Sequence, residues 1–192
     1  MKKILTLVAA IAFTATAFTQ VGFQFGGNVS TFGGLGEATG KSYKPGYQVG
    51  FTQNWGNWGE RLSIEPGIFL INKGGKSGDR KTNLNYLQVP LNTKVNFYLG
   101  DTRISLAYGI YGACGLWGGT KDGSDKKKEI KFGKDEPYVR FDVGGQVFAG
   151  IMAGRVGMNV MYQFGGRKIM HSASATNTSI MLNLTYLLSD SM

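Results

Sequence analysis

Between Leu87 and Leu99 the chain alternates. Leu87, Val89, Leu91, Thr93, Val95, Phe97 and Leu99 occupy the odd positions, and Gln88, Pro90, Asn92, Lys94, Asn96 and Tyr98 the even ones. A helix, turning about 100° per residue, would spread these residues round its surface; a strand sorts them onto two faces. The same period recurs. Val21, Phe23, Phe25 and Val29 alternate with Gly22, Gln24, Gly26 and Asn28, and Tyr47, Val49 and Phe51 with Gln48, Gly50 and Thr52. Leu62, Ile64, Pro66, Ile68 and Leu70 oppose Arg61, Ser63, Glu65 and Gly67. Four later segments, around residues 104–116, 139–151, 156–164 and 180–188, repeat it, which makes eight strands.

The connections alternate as well. Those after the first, third, fifth and seventh strands are long, about residues 31–45, 73–84, 119–137 and 166–178. The others are short: residues 54–60, Gly100-Asp101, and residues 152–155. An even number of antiparallel strands of about ten residues, with short turns at one end and long loops at the other, is the signature of a membrane β-barrel.

Alternation does not say which face is wet, and a soluble eight-stranded barrel has the opposite polarity. The polar set is rich in Gly, Asn, Gln and Ser, with few charges: Glu65, Lys94, Arg103, Arg140, Asp142 and Arg155. A solvated outer surface would carry far more Lys and Glu. Small polar residues with pairable charges suit a narrow interior. The apolar set holds aromatics near strand ends, Phe23, Tyr47, Phe97, Tyr108, Tyr162, Phe164 and Tyr186, as girdles at membrane interfaces require. The expected fold is all-β: an eight-stranded antiparallel up-and-down transmembrane β-barrel with a polar filled interior and an apolar exterior.

The N-terminus agrees. Lys2 and Lys3 precede an uncharged, mostly apolar run at residues 4–18, shorter than the roughly 20 residues a spanning helix needs. With Ala15-Thr16-Ala17 as a cleavage pattern, or a cut after Thr19, residues 1–20 read as a signal peptide and residues 21–192 as the barrel domain. Removing two lysines lowers the net charge from +9 to +7. The positive charges gather in two loops, Lys73 to Lys81 and Lys121 to Lys134, a pattern for solvated loops or anionic head groups and not for nucleic acid. Thirty glycines are about twice the usual share of roughly 7%. The single cysteine, Cys114, excludes an internal disulfide and any cysteine-rich metal site, and it falls on the lipid-facing side.

Four stretches carry a resemblance: GFQFGGNVSTFGG (22–34), LSIEPGIFLINKGGK (62–76), NYLQVPLNTKV (85–95) and RFDVGGQVFAGI (140–151). They resemble the PorT-like porin family, outer-membrane β-barrels abundant in Bacteroidetes. The chain departs from the usual barrel ending: Tyr186 lies within the last strand, and LLSDSM follows it. The resemblance implies an integral outer-membrane protein whose partners are outer-membrane lipids, lipopolysaccharide and the barrel-assembly machinery. It does not imply a pore.

Candidate site residues are few. In a barrel of eight strands, side chains fill the interior, so Glu65, Lys94, Arg140 and Asp142 are expected to form an internal charge network. Lys126, Lys127, Lys128 and Lys131, in the lysine-rich 121–137 loop, are candidates for contact with lipopolysaccharide phosphates or an acidic partner. The only histidine, His171, stands beside Ser172 and Ser174 without a nearby acid, so a serine-hydrolase site is not expected. No catalytic, metal or cofactor residue is assigned. The expected function is non-enzymatic scaffolding or surface-loop interaction; the alternatives are a narrow pore for small solutes and, more remotely, a lipid-modifying enzyme. Pro90, inside a barrel strand, should mark a bulge or a gap in the ladder.

Overall fold

The computed structural model describes residues 20–32, 41–58, 61–77, 79–121, 127–133, 136–169 and 176–189. They form ten strands: β1 (Gln20–Phe32), β2 (Lys41–Ser42), β3 (Lys44–Trp58), β4 (Leu62–Ser77), β5 (Arg80–Leu99), β6 (Thr102–Lys121), β7 (Lys127–Ile130), β8 (Phe141–Ala153), β9 (Val156–Gly165) and β10 (Asn177–Leu187). Eight of them pair antiparallel in the order β1-β3-β4-β5-β6-β8-β9-β10. Pairs from Gly22↔Leu187 to Phe32↔Asn177 join β1 back to β10 and close the sheet into an eight-stranded barrel. Closure leaves no free edge. β2 and β7 are short additions on β4 and β6.

The barrel is inside-out relative to a soluble protein. Ile110, Tyr108, Val160 and Leu182 are more than half exposed, whereas Gln24, Asn28, Gln48, Gln88, Asn92, Gln146, Gln163 and Asn183 are at most 5% exposed. A continuous apolar outer wall is a liability in water. In a bilayer it is the solvated face, and the closed ladder pairs the strand backbones with one another except at a short gap between β4 and β5. Cys114 lies on this outer wall, paired with Leu87 and Phe141.

The long connections are shorter than the sequence pattern predicts. β4 and β5 pair without interruption from Phe69↔Gln88 up to Ser77↔Arg80, through the stretch expected to be loop 73–84. The hydrophobic contrast fades there because the inner face turns apolar at Ile71, Leu84 and Tyr86 while the other face carries Asn72 and Asn85, but the backbone ladder does not need that contrast. Lys73 is therefore a strand residue, fully buried, and not a loop lysine. At the other end the tight turns behave as expected, with Gly100 and Gly154 at φ 59° and 55°, a region open to glycine.

Pro90 marks a gap and not a bulge. The β4–β5 ladder stops after Pro66↔Leu91 and resumes in the same register at Phe69↔Gln88. Proline has no N–H to donate, and the β6 side of Pro90 keeps its place opposite Tyr111. Beyond β10 the chain still follows β1: Leu188 N donates to Val21 O at 2.8 Å, and Val21 N to Ser189 Oγ at 3.0 Å.

Candidate functional site

The lumen is filled in two different ways along its length. The short-turn half holds amides, hydroxyls and an ion pair, with Ala107 and Phe148 buried beside them. Lys94 Nζ lies 2.8 Å from Glu65 Oε2, with both side chains largely buried. Their strands set this geometry: Ser63 is opposite Lys94 and Glu65 opposite Asn92, so the pair is a diagonal across the β4–β5 ladder. Below it, Asn96 Nδ2 donates to Ser63 Oγ at 3.1 Å, and Ser105 Oγ donates to Asn96 Oδ1 at 2.7 Å.

Two amide bridges explain part of the glycine excess. Gln48 Nε2 donates to Asn183 Oδ1 at 2.7 Å, although β1 lies between their strands. The intervening residue is Gly26, opposite both, and a Cβ there would collide with the Asn183 amide. Likewise Gln146 Nε2 donates to Asn92 Oδ1 at 2.6 Å across Gly109 of β6, and Gln163 Nε2 donates on to Gln146 Oε1 at 2.7 Å. A missing side chain on the middle strand lets its two neighbours meet.

The long-loop half is capped by apolar side chains. Ile71, Leu84, Tyr86, Ile130, Phe132 and Ile169 are buried together, with Phe32 and Tyr138 packed against them. Phe132 sits between Tyr86 and Tyr138, ring centroids 5.9 and 6.5 Å away. The stretch that brings it there is pinned: Gly115 N donates to Arg140 O at 2.6 Å and Val139 N to Ile169 O at 3.0 Å. Two lumenal cavities among the described residues are small. One of about 40 Å³, lined by Gln24, Glu65, Lys94 and Arg103 among others, lies toward the short turns. One of about 10 Å³ lies among Gln48, Gln88 and Gln146. The smaller is about the size of one water.

Beneath the cap stands a second charged centre. Asp142 is 1% exposed; its Oδ2 accepts from Asn177 Nδ2 at 2.8 Å and from the Tyr111 hydroxyl at 3.5 Å. Lys73 Nζ lies 4.2 Å from the Tyr111 ring centroid and donates to Gln88 Oε1 at 2.9 Å. Tyr111 thus takes the cation on its face and offers its hydroxyl to the anion.

The four expected network residues therefore separate. Glu65 and Lys94 meet. Asp142 stands opposite Ala113 and Lys94 opposite Ala107 on β6, about 20 Å apart along the strand. Arg140 is not in the lumen: it precedes β8, is exposed, and Nη2 donates to Phe132 O at 3.0 Å. The alternation that aligned it with Asp142 holds only inside a strand, and β8 begins at Phe141. Of the candidate contact lysines, Lys128 and Lys131 are exposed and Lys127 belongs to β7; Lys126 lies outside the described residues, as do His171 and its neighbouring serines. Among the described residues no group of three or more His, Cys, Asp or Glu could hold a metal ion. Sequence reading missed Lys73, Tyr111, Asn177, Ile130 and Phe132. A signal for the last two exists in the alternation of Ile130 and Phe132 with Glu129 and Lys131 within the lysine-rich stretch.

No protein-family model matches the chain, and no curated protein is similar to it in sequence. Solved structures do match. The neisserial surface protein A superposes at a TM-score of 0.51 with 7% identity, covering 86% of this chain and 96% of that one. Ail, the attachment invasion locus protein of Yersinia pestis, matches at 0.48 with 10% identity, over 89% of this chain and 99% of that one. The N-terminal β-barrel domain of Pseudomonas aeruginosa OprF matches at 0.38 with 6% identity, over 88% and 99%. At 7% identity, the likeness to the neisserial protein is one of fold: the chain is an eight-stranded antiparallel β-barrel.

Proposed function

We propose that this is an integral outer-membrane barrel of the PorT-like porin type, exported by a cleaved signal peptide and inserted by the barrel-assembly machinery. It acts as a closed, non-enzymatic scaffold whose long-loop end does the interacting. One observation carries the closed reading: the lumen is occupied from the Glu65–Lys94 pair up to the Ile130–Phe132 cap, and the cavities beside the pair and among the amides are small. The apolar wall supports the membrane reading, since water would not tolerate it. Lys126, Lys127, Lys128 and Lys131 are proposed to meet lipopolysaccharide phosphates at the cell surface. Lipase and acyltransferase screens are expected to be blank; activity that vanished in His171→Ala would reverse that. The deciding experiment is planar-bilayer conductance of the refolded protein. Silence fits a closed scaffold, whereas steady channels would favour a narrow pore in which the buried charged groups exchange partners.

A further inference from the structure

The cavity of about 40 Å³ toward the short turns carries more positive than negative charge on its wall. Lys94, Arg103 and Glu65 line it, two cations and one acid, and Glu65 is already paired with Lys94. That leaves Arg103. It lies on the lumenal face of β6, opposite Met152 of β8 and two residues before Ser105. Its side chain crosses the short-turn mouth to the far wall: Nη1 donates to Gln20 Oε1 of β1 at 3.3 Å. Between those strands stand β3, β4 and β5 on one side and β10, β9 and β8 on the other. Nη2 donates to Met152 Sδ at 3.0 Å, and the buried Nε has no partner. Among the described residues no ion pair joins Arg103 to an acid. A thioether is a weak acceptor, and a guanidinium does not give up its charge. Holding that charge partly out of water without an anion is unfavourable.

The rest of the wall supplies a donor and room. Gln24, 3% exposed, has an amide Nε2 without a partner. Asn54 Oδ1 is unpartnered as well; with that amide turned over, its NH2 faces the cavity as a further donor. Gly150 and Gly157 stand on the wall where side chains from β8 and β9 would otherwise fill the space, and a Cβ on Gly157 would press on Met152 Cε. The space is about three times what one water needs, which suits an anion of about three or four heavy atoms. The flat fork of a guanidinium matches a carboxylate through two parallel N–H···O bonds.

We infer that Arg103, with Gln24 beside it, anchors a binding site for a small carboxylate of formate to acetate size, entered from the short-turn mouth. Under the outer-membrane reading that mouth opens to the periplasm, but the site requires only the barrel fold and stands whether or not the barrel conducts. The test titrates refolded mature protein in zwitterionic micelles with sodium formate, acetate, chloride and citrate at equal ionic strength, read by calorimetry. Formate and acetate are expected to bind more tightly than chloride, and citrate, too large for the cavity, not to bind. Arg103→Gln should weaken formate binding by about tenfold or more, as loss of a charged hydrogen bond implies. Arg103→Lys keeps the charge, loses the fork and should fall between. Glu65→Gln releases Lys94 to face the cavity and should tighten binding, whereas Arg140→Gln, at the opposite end, should leave it unchanged. Chloride binding as tight as formate would overturn the carboxylate assignment. Citrate binding as tight as formate would overturn the enclosed site. Wild-type affinity in Arg103→Gln, or no anion bound by the wild type, would overturn the site in favour of a cavity holding only water. Binding seen only in Asp190→Asn, the first acid along the chain after Ser189, would overturn a free ligand in favour of the chain's own carboxylate. Should Arg103→Gln not refold, the wild-type order of the four anions and the Glu65→Gln change still decide.

Discussion

The two halves of the lumen solve the same problem with opposite chemistry. The short-turn half is packed with amides, hydroxyls and the Glu65–Lys94 pair, several of them bonded to a neighbour a strand or two away. The long-loop half is closed by Ile71, Leu84, Tyr86, Ile130 and Phe132, with Lys73 and Asp142 held beneath on either side of Tyr111. The difference follows from what each half packs against. Below, strands face only strands, and polar side chains can cross the narrow lumen to bond one another. Above, Ile130 and Phe132 from the stretch 127–133 pack over the mouth and bury like an ordinary core. A barrel interior can thus be a hydrogen-bonded lattice and a hydrophobic core at once, the apolar cluster being densest toward the long loops and reaching down through Met161 to Phe148.

That contrast can be broken from either side. The largest effect is expected from Lys94→Ala, which strands Glu65 in the lumen without its partner. Removing one member of a buried pair costs about 3–5 kcal/mol, readable as a lowered urea midpoint in micelles; a Glu65→Gln/Lys94→Met double variant should recover most of it. Next is Phe132→Ala, which empties the centre of the cap. Its cost is about 3 kcal/mol, at the low end for a buried Phe, and intermittent current should appear that Lys94→Ala does not produce. If both variants conduct alike, the two halves do not divide closure and cohesion between them. Gly109→Ala should cost about 2 kcal/mol by forcing apart Asn92 and Gln146, whose bond needs the vacant position. Tyr111→Phe keeps the ring under Lys73 and removes only a 3.5 Å bond to Asp142, so about 1 kcal/mol is expected. The smallest effect is expected from Arg140→Ala, about 0.5 kcal/mol, the low end for a lost hydrogen bond, since its exposed side chain is tied to the cap by the bond to Phe132 O.

How much of this the sequence reveals depends on distance from the lipid. Within the belt, period-two alternation sorts Val147 from Gln146 and Leu182 from Asn183 because lipid enforces the contrast on every outward position. Strand number, order and polarity follow. Above the belt both faces are wet or self-packed, the contrast fades, and β4 and β5 read as loop although their ladder runs on to Ser77↔Arg80. The Glu65–Lys94 pair lies on neighbouring strands and is within reach of pattern reasoning. Lys73 is not, because its partner Tyr111 lies two strands away and only the register brings them together. Asp142 is placed in the lumen by parity, but nothing local names Asn177 as its donor. Proline is the exception: the gap at Pro90 follows from the missing N–H alone.

The central claim is that the apolar face meets lipid while the alternate face is a dry, filled interior. Adjacent residues of β8 test it: Val147 is exposed on the wall and Phe148 is buried inside. Single tryptophans at these two positions, with Trp55, Trp58 and Trp117 replaced by Phe, are to be quenched by brominated lipids in vesicles. The inside-out barrel predicts strong quenching for Val147→Trp and little for Phe148→Trp. Equal quenching of the two, or stronger quenching of Phe148→Trp, would contradict it.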